Sequence, residues 1–395
     1  MNLPNSQNAG LYIHIPFCVK KCPYCDFYSE TDLSLRPRFF DALITEMKMV
    51  SAEGVRFDTL YIGGGTPSTY DHDEIGRILE SARRHFDFLP DSEVTLEVNP
   101  GTISIEQLKG YRAAGINRLN IGVQSFHQRH LDFLGRIHSP AEARKAIADA
   151  YGAGFKNIGL DLIYGLPNQS GADWLADLKQ AVADNSTHLA CYMLTYEKGT
   201  PLHGDLESGR IQALPDDQVR TLFETTIEFL EDNGYVQYEI SNFARHARHP
   251  ASHISRHNLK YWTGAPYVGL GPSAHSFSKS QRSWNVSNLS RYMAAIESGQ
   301  APMADKEMLT REQEMIEAIY LGLRMTQGID LILFKQKFGI DFSHTFKDSV
   351  SDLTKRNYLK VDASYAALTR QGRAFLDSIA SMLVVQDFSE AQWKR

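Results

Sequence analysis

The stretch Tyr12-Ile-His-Ile-Pro-Phe-Cys18-Val-Lys-Lys-Cys22-Pro-Tyr-Cys25-Asp-Phe27 places three of the chain's four cysteines within eight residues. Structural zinc usually takes four ligands in two spaced pairs, but the fourth cysteine, Cys191, lies 166 residues beyond Cys25. Iron–sulfur clusters are held by thiolates in short local runs. Three cysteines would leave one iron of a cubane cluster without a protein ligand. The stretch therefore favours a cluster with one open iron over zinc.

Composition sets the class of protein around this stretch. The chain has 395 residues, 43% hydrophobic and 22% charged, which is ordinary globular composition and excludes disorder and collagen-like repeats. Its length suggests two or three domains. No run of 18 apolar residues predicts a membrane span, and residues 1–10 lack the apolar core of a signal peptide. With so few cysteines, we expect a cytoplasmic protein. A pI near 6.2 argues against non-specific nucleic-acid binding.

The net charge of −6 is unevenly distributed. Residues 240–296 contain no Asp or Glu, so this segment carries +7 and the remainder carries −13. Its cations are Arg245, Arg248, Arg256, Lys260, Lys279, Arg282 and Arg291, and its histidines are His246, His249, His253, His257 and His275. Such a block predicts an anionic partner, although a solvated surface is the plainer alternative.

Short apolar segments alternate with helical periodicity along the first half of the chain. The predicted strands are 11–15, 59–62, 94–98, 118–123, 157–163 and 188–194. The predicted helices between them are 36–51, 73–86, 104–114, 140–152 and 172–185, the third beginning with a Ser104/Gln107 capping box. Six strands that alternate with helices predict parallel βα units wound into an open or closed barrel.

Unusual polar residues follow or end five of these strands, and Asp161 lies within the strand at 157–163. They are the cysteine run, Gly63-Gly64-Gly65-Thr66, Glu97 with Asn99, Gln124, Asp161 and Tyr196-Glu197. In βα barrels the active site lies at the carboxyl ends of the strands. Their shared position predicts one site there.

The chain changes character after residue 200. A helix is predicted over 218–233, and helices over 310–324, 331–338 and 346–356 precede a hairpin at 357–361 and 364–368 and a last helix at 369–383. This order is typical of a winged helix. Because the segment is nearly neutral and lacks a basic recognition helix, we interpret it as structural or as a protein–protein module.

The cysteine stretch, the GGGTP loop, Glu97, Gln124, Arg136, Asp161 and the C-terminal segment together resemble the radical S-adenosylmethionine (SAM) superfamily, in particular the oxygen-independent coproporphyrinogen III oxidase-like proteins. The resemblance covers essentially the whole chain. It implies an α/β fold with a partial (βα)6 barrel over residues 1–300, which include the basic 240–296 extension. It also implies a winged-helix-like domain over 305–385.

The resemblance implies cofactor residues as well. Cys18, Cys22 and Cys25 would hold a [4Fe–4S] cluster whose open iron chelates SAM. The SAM-binding residues would be Tyr12, Tyr24, Gly64, Gly65, Thr66, Glu97, Gln124, Arg136 and Asp161. The glycines permit close backbone approach, and Glu97 and Arg136 suit the charged ends of a zwitterion. The plainer alternatives are core aromatics for the two tyrosines, a surface position for Arg136 and a capping role for Asp161.

Two departures point to one branch of this family. The oxidases carry a fourth cysteine where this chain has Phe27, and a longer segment before the cluster than the 17 residues found here. Both match the heme chaperone branch, HemW-like proteins, which also show a His-Asn-x-x-Tyr-Trp motif. This chain has His257-Asn258-Leu-Lys-Tyr261-Trp262.

The motif suits heme, since imidazole is a common axial ligand and aromatic faces pack on a macrocycle. His253 or His249 could replace His257 as the ligand. Alternatively, His257 and Asn258 hydrogen-bond a loop while Trp262 fills core.

We therefore predict a cytoplasmic heme chaperone that binds a [4Fe–4S] cluster, SAM and heme and transfers heme to acceptor proteins. We expect respiratory proteins as the acceptors and no nucleic acid as a partner. Transient contact with a membrane surface would serve such handover, though no basic amphipathic anchor is evident. The alternative is an enzyme that generates a 5′-deoxyadenosyl radical and acts on a porphyrinogen. A third possibility is a regulatory iron–sulfur protein.

Overall fold

The computed structural model describes residues 8–50, 52–246 and 253–387. The strands within these ranges are β1 Ala9–Ile15, β2 Arg56–Gly64, β3 Asp87–Val98, β4 Arg118–Gln124, β5 Asn157–Tyr164, β6 His188–Met193, β7 Tyr235–Gln237, β8 Asn242–Arg245, β9 Tyr267–Leu270, β10 His275–Ser278, β11 Gln281–Asn285, β12 Met303–Met308, β13 Ile329–Asp330, β14 Leu359–Val361 and β15 Tyr365–Leu368. The helices are α1 Arg36–Met49, α2 His72–His85, α3 Ile105–Ala114, α4 Gln128–Phe133, α5 Pro140–Gly152, α6 Gly171–Ala183, α7 Pro201–Glu207, α8 Asp216–Asp232, α9 Arg256–Thr263, α10 Leu289–Glu297, α11 Arg311–Arg324, α12 Leu331–Phe338, α13 Phe342–Thr345, α14 Lys347–Lys355, α15 Arg370–Arg373 and α16 Leu376–Asp387. No helix in these ranges is long and apolar enough to cross a membrane.

The described strands form a large sheet and a small one. The large sheet has the order β12-β11-β10-β9-β1-β2-β3-β4-β5-β6-β8-β7, and β1 to β6 are parallel neighbours. This confirms the predicted partial barrel of six βα units. The sheet does not close, because β9 extends it beside β1 and the antiparallel β8 extends it beside β6.

Alternation along the parallel strands separates the core from the lumen. On β1, Leu11, Ile13 and Ile15 belong to the main apolar core, while Tyr12 and His14 line a cavity on the concave side. The helices cover the outer face, and the predicted capping box of α3 is present, with Ser104 accepting a hydrogen bond from Gln107 N. The outer face therefore holds the fold together, and the concave side is free to carry polar residues.

The basic segment 240–296 is more structured than its sequence pattern indicated. It contributes β8 to β11, α9 and α10. Three of its cations in the described ranges pair with carboxylates from other parts of the chain. Arg256 and Lys260 pair with Asp58, and Arg282 pairs with Glu307 and Glu317. Three of the seven positive charges therefore have carboxylate partners in the described part of the chain, which weakens the inference from net charge to an anionic partner. Arg248 and His249 lie outside the described residues.

The C-terminal part has a separate apolar core, built from residues between Met315 and Leu383. Its small sheet has the order β13-β15-β14. The predicted hairpin is β14 and β15, but the edge strand β13 was not predicted. The predicted last helix is two helices, α15 and α16. Gly372, within α15, lies against the Tyr358 carbonyl, leaving no room for a Cβ.

Candidate functional site

A cavity of about 1480 Å³ opens at the carboxyl ends of the parallel strands. It is lined by every residue predicted to bind SAM: Tyr12, Tyr24, Gly64, Gly65, Thr66, Glu97, Gln124, Arg136 and Asp161. Cys25 and three residues of the His-Asn-x-x-Tyr-Trp motif, His257, Asn258 and Tyr261, line the same cavity. Residues from β1 to β6 and from α9 thus share one space.

The cysteine loop follows β1 and is fixed by backbone hydrogen bonds. Cys18 N donates to Glu30 O at 2.9 Å, and Thr66 N donates to Phe17 O at 2.7 Å. The Thr66 hydroxyl donates to Cys18 Sγ at 3.4 Å. Cys18 is buried, whereas Cys22 and Cys25 are half-buried. The loop therefore holds one buried thiol and two half-buried thiols beside the GGGTP loop.

The fourth cysteine does not join this loop. Cys191 is 3% exposed in β6 and belongs to the main apolar core, on the side of the strand that faces away from the cavity. Within the described ranges, no three His, Cys, Asp or Glu side chains are arranged to hold a single metal ion.

Gly64, the last residue of β2, and Gly65, which follows it, are required by close packing of the protein itself. Gly64 has φ +112°, and a Cβ there would lie 2.6 Å from the His14 ring. A Cβ on Gly65 would lie 2.8 Å from the Phe17 carbonyl oxygen. Side chains at these positions would push the GGGTP loop off the cysteine loop, so the glycines set the spacing between the two loops.

Two carboxylates face the cavity. Glu97 accepts hydrogen bonds from the Tyr61 hydroxyl at 2.6 Å and from Gly64 N at 3.2 Å, and burial raises its pKa to about 7 despite these donors. Asp161 accepts from Asn120 Nδ2 at 2.7 and 2.8 Å, and burial raises its pKa to about 6. Both acids are thus poised to respond to a cationic ligand.

Arg136 and Gln124 converge on the same wall. Arg136 Nη2 donates to Gly122 O at 2.8 Å, and its Nη1 lies 3.6 Å from Cys22 Sγ. Gln124 has φ 69°, and its buried Oε1 has no hydrogen-bond partner. A buried acceptor without a donor is costly in a folded protein. This orphaned oxygen at the cavity wall suits a ligand hydroxyl.

His257 borders the cavity, but its ring is almost fully enclosed by protein. It is 1% exposed, its Nδ1 lies 2.8 Å from the Thr59 hydroxyl and its Nε2 lies 3.0 Å from the Tyr261 hydroxyl. Burial lowers its pKa to about 3, so the ring is neutral. Both nitrogens are used within the protein, and neither is left for a metal in this arrangement.

Trp262 points away from the cavity. The guanidinium of Arg324, on α11, lies 4.2 Å from the centroid of its ring, and Arg324 also pairs with the buried Glu239 at 2.8 Å. The motif therefore divides between two environments. His257, Asn258 and Tyr261 contribute to the cavity, whereas Trp262 joins α9 to the C-terminal part.

Sequence reasoning missed Tyr61 and Asn120, which contact the two carboxylates. Strand alternation could have found them: Tyr61 precedes Gly63 by two residues on β2, and Asn120 precedes Gly122 by two on β4. Residues two apart on a strand share a face, so both point toward the predicted site.

Residues 12–181 match the model of the radical SAM superfamily, and residues 309–375 match that of the HemN C-terminal domain. The fold and site thus define a radical SAM protein, a class that implies a [4Fe–4S] cluster and SAM. The chain is 33% identical to the heme chaperone HemW of Bacillus subtilis over 92% of this chain and 95% of that protein. It is also 33% identical to the heme chaperone HemW of Escherichia coli over 95% of this chain and 98% of that protein. The chain therefore belongs to the HemW family.

A solved structure shares the fold over nearly the full length. Coproporphyrinogen III oxidase (HemN) from Escherichia coli superposes with a TM-score of 0.82, covering 97% of this chain and 92% of that chain at 23% sequence identity. At this identity the likeness establishes the fold alone.

Proposed function

We propose that this protein is a heme chaperone that binds heme and passes it to acceptor proteins, and that it carries a [4Fe–4S] cluster and SAM. The full-length similarity to heme chaperones HemW supports this function. The observation that carries it in the structure is that one cavity of about 1480 Å³ adjoins both the cysteine loop and the motif helix α9. That volume exceeds what a drug-sized ligand usually occupies, so it has room for more than one small molecule.

The cluster would be held by Cys18, Cys22 and Cys25. A reduced [4Fe–4S] cluster supplies one-electron chemistry to SAM in this superfamily. The protein's own contribution is to fix the loop through the Glu30 and Phe17 carbonyls. Burial raises the pKa of the Cys18 and Cys25 thiols, which means that it disfavours the charged thiolates. A bound cation would offset that cost.

SAM would be held by the residues around the two carboxylates. Glu97 would accept from the amino group and Arg136 would pair with the carboxylate. Asp161 and the orphaned Gln124 Oε1 would take the ribose hydroxyls. Tyr12 and Tyr24 would form the adjacent walls, and Gly64, Gly65 and Thr66 would approach the methionyl end.

Heme would lie where the cavity is bounded by α9 and the strands beyond β1. Asn258 and Tyr261 face this region, and Trp262 anchors α9 through its contact with Arg324 of α11. His253, the alternative to His257 as ligand, is half-buried, with its Nδ1 3.3 Å from Arg245 O. The acceptor would be a protein, reached in the cytoplasm or by transient contact at a membrane surface.

The deciding experiment is a heme titration of the purified protein beside an anaerobic coproporphyrinogen turnover assay under reducing conditions. We expect saturable heme binding with a defined Soret spectrum, transfer to apo-acceptor protein, and no decarboxylation. Turnover without stable heme binding would instead support the oxidase alternative and reject the chaperone function.

A further inference from the structure

Four imidazoles line the cavity in the described part of the chain: His14, His188, His257 and His275. An axial ligand must present a ring nitrogen whose lone pair is not already used. His14 uses both nitrogens, Nδ1 with the Tyr12 hydroxyl at 3.0 Å and Nε2 with the Tyr28 carbonyl at 2.9 Å. His257 is likewise engaged at both nitrogens.

His188 has a ring nitrogen without a partner, but that nitrogen is not accessible to a ligand. Its Nε2 lies 2.8 Å from the Tyr238 hydroxyl, and its Nδ1 has no partner. The residue is 1% exposed, however, so the free nitrogen is walled in by protein. A macrocycle that carries iron could not reach that nitrogen without opening the barrel.

Among these four histidines, His275 combines a ring nitrogen without a partner with access to the cavity. It is exposed at the cavity wall on β10, and no hydrogen bond joins its ring to any described residue. Partial burial and the neighbouring Arg282 guanidinium lower its pKa, so the ring is neutral at physiological pH. Neutral imidazole is the form that binds a metal.

The surroundings of His275 suit a flat ligand. Its ring stacks on Trp284 of β11, with centroids 5.8 Å apart and planes inclined by 28°. Because the two residues are direct cross-strand partners, the stack is fixed by sheet register. Tyr267 of β9 and Tyr261 of α9 pack against each other at 4.8 Å on the same cavity wall. Aromatic faces of this kind pack well on a macrocycle.

We propose that His275, rather than His257, supplies the axial imidazole to the iron of bound heme, with Trp284 holding the ring in place. This assignment rests on the proposed heme-binding function. In it, the residues of α9 form the wall against which the macrocycle packs, and His257 positions Tyr261 instead of binding iron.

The test is a heme titration of the full-length protein, followed by absorption spectroscopy, on the wild type, His275→Gly and His275→Gln. Both variants should lose the histidine-ligated spectrum and bind heme at least about tenfold more weakly. Added imidazole should restore the spectrum of His275→Gly, a rescue that a merely structural role would not produce. His72→Ala, on the remote helix α2, is the control and should behave as wild type. SAM affinity and circular dichroism should be unchanged in all variants, which would show that the fold is intact.

An unchanged spectrum and affinity in both His275 variants would overturn the assignment while leaving the chaperone function in place. Loss of the spectrum in His257→Gln, with His275→Gln unaffected, would overturn it in favour of the motif histidine. If the wild type itself fails to bind heme, both the assignment and the proposed function are rejected.

Discussion

The imidazole of His257 stacks on the ring of Tyr61, with centroids 5.1 Å apart and planes inclined by 27°. Tyr61 donates to Glu97 at 2.6 Å, and Glu97 accepts from Gly64 N. A residue of the α9 motif is thus connected, through one aromatic ring, to the carboxylate proposed to bind the SAM amino group. The pair His257 and Tyr61 therefore belongs to a wall that the two proposed ligand sites share, so a change at Tyr61 should alter SAM binding.

Tyr61→Phe should weaken SAM binding, and more so at low pH. The hydroxyl donates to Glu97 and holds the pKa of that carboxyl below the value that burial alone would impose. Without the donor, the carboxyl is protonated at higher pH and loses its attraction for the SAM ammonium. We expect a loss of about three- to tenfold at pH 7, measured by calorimetric titration between pH 6 and 8. Tyr111→Phe, whose hydroxyl donates to the remote Tyr70 carbonyl, is the matched control. Equal pH profiles for the two variants would contradict the role assigned to Tyr61.

Glu97→Gln should change how stability depends on pH in the absence of SAM. The folded-state pKa of about 7 lies above the ordinary value of 4.5. The resulting stabilisation is therefore complete below pH 4.5 and is lost as pH rises through 7. The variant removes this loss and should exceed the wild type by about 3 kcal/mol at pH 8, with little advantage at pH 4.5. Urea unfolding at the two pH values measures the difference. The exposed Glu228→Gln should show no such dependence, and a wild type equally stable at both values would refute the argument.

Arg324→Ala should destabilise the contact between α9 and the C-terminal part. Arg324 covers the Trp262 ring and is the ion-pair partner of Glu239, which is 0% exposed. Removal of one partner of a buried pair typically costs about 3 to 5 kcal/mol, because the other charge is left without compensation. The double variant Arg324→Ala/Glu239→Gln should recover part of this loss in thermal or urea unfolding. If the double variant is instead less stable than Arg324→Ala, the unpaired charge of Glu239 does not explain the loss of stability in the single variant.

The six βα units and their shared site could be predicted from sequence because both depend on local patterns. Apolar runs fix the strands, and polar residues at strand ends fix the site. Tyr12, Glu97 and Asp161 are brought together by the topology of parallel strands alone.

The added strands and the surroundings of His257 could not be predicted in this way. Strands β9 to β11 are short and half-buried, and they contain Ser, His and Arg, so alternation is weak. One hydrogen-bond partner of His257 is Thr59, 198 residues away in sequence. The counter-charges of Arg282 come from Glu307 and Glu317, outside the acid-free segment. Long-range pairs of this kind leave no trace in a local window.

Cys22→Ser and Cys191→Ser should distinguish a cysteine that binds the cluster from one that packs in the apolar core. Cys22 is half-buried in the loop beside Arg136, and loss of its thiolate removes one of the three proposed cluster ligands. Anaerobically reconstituted Cys22→Ser should retain little iron and sulfide. Cys191→Ser should keep the iron content of the wild type, because Cys191 lies in the apolar core behind β6. It should instead lose about 1 to 2 kcal/mol of stability, because a hydroxyl replaces a thiol in apolar surroundings. Iron and sulfide analysis with urea unfolding of both variants provides the measurement. Wild-type iron content in Cys22→Ser would reject the cluster assignment, and loss of iron in Cys191→Ser would mean that the fourth cysteine is a ligand after all.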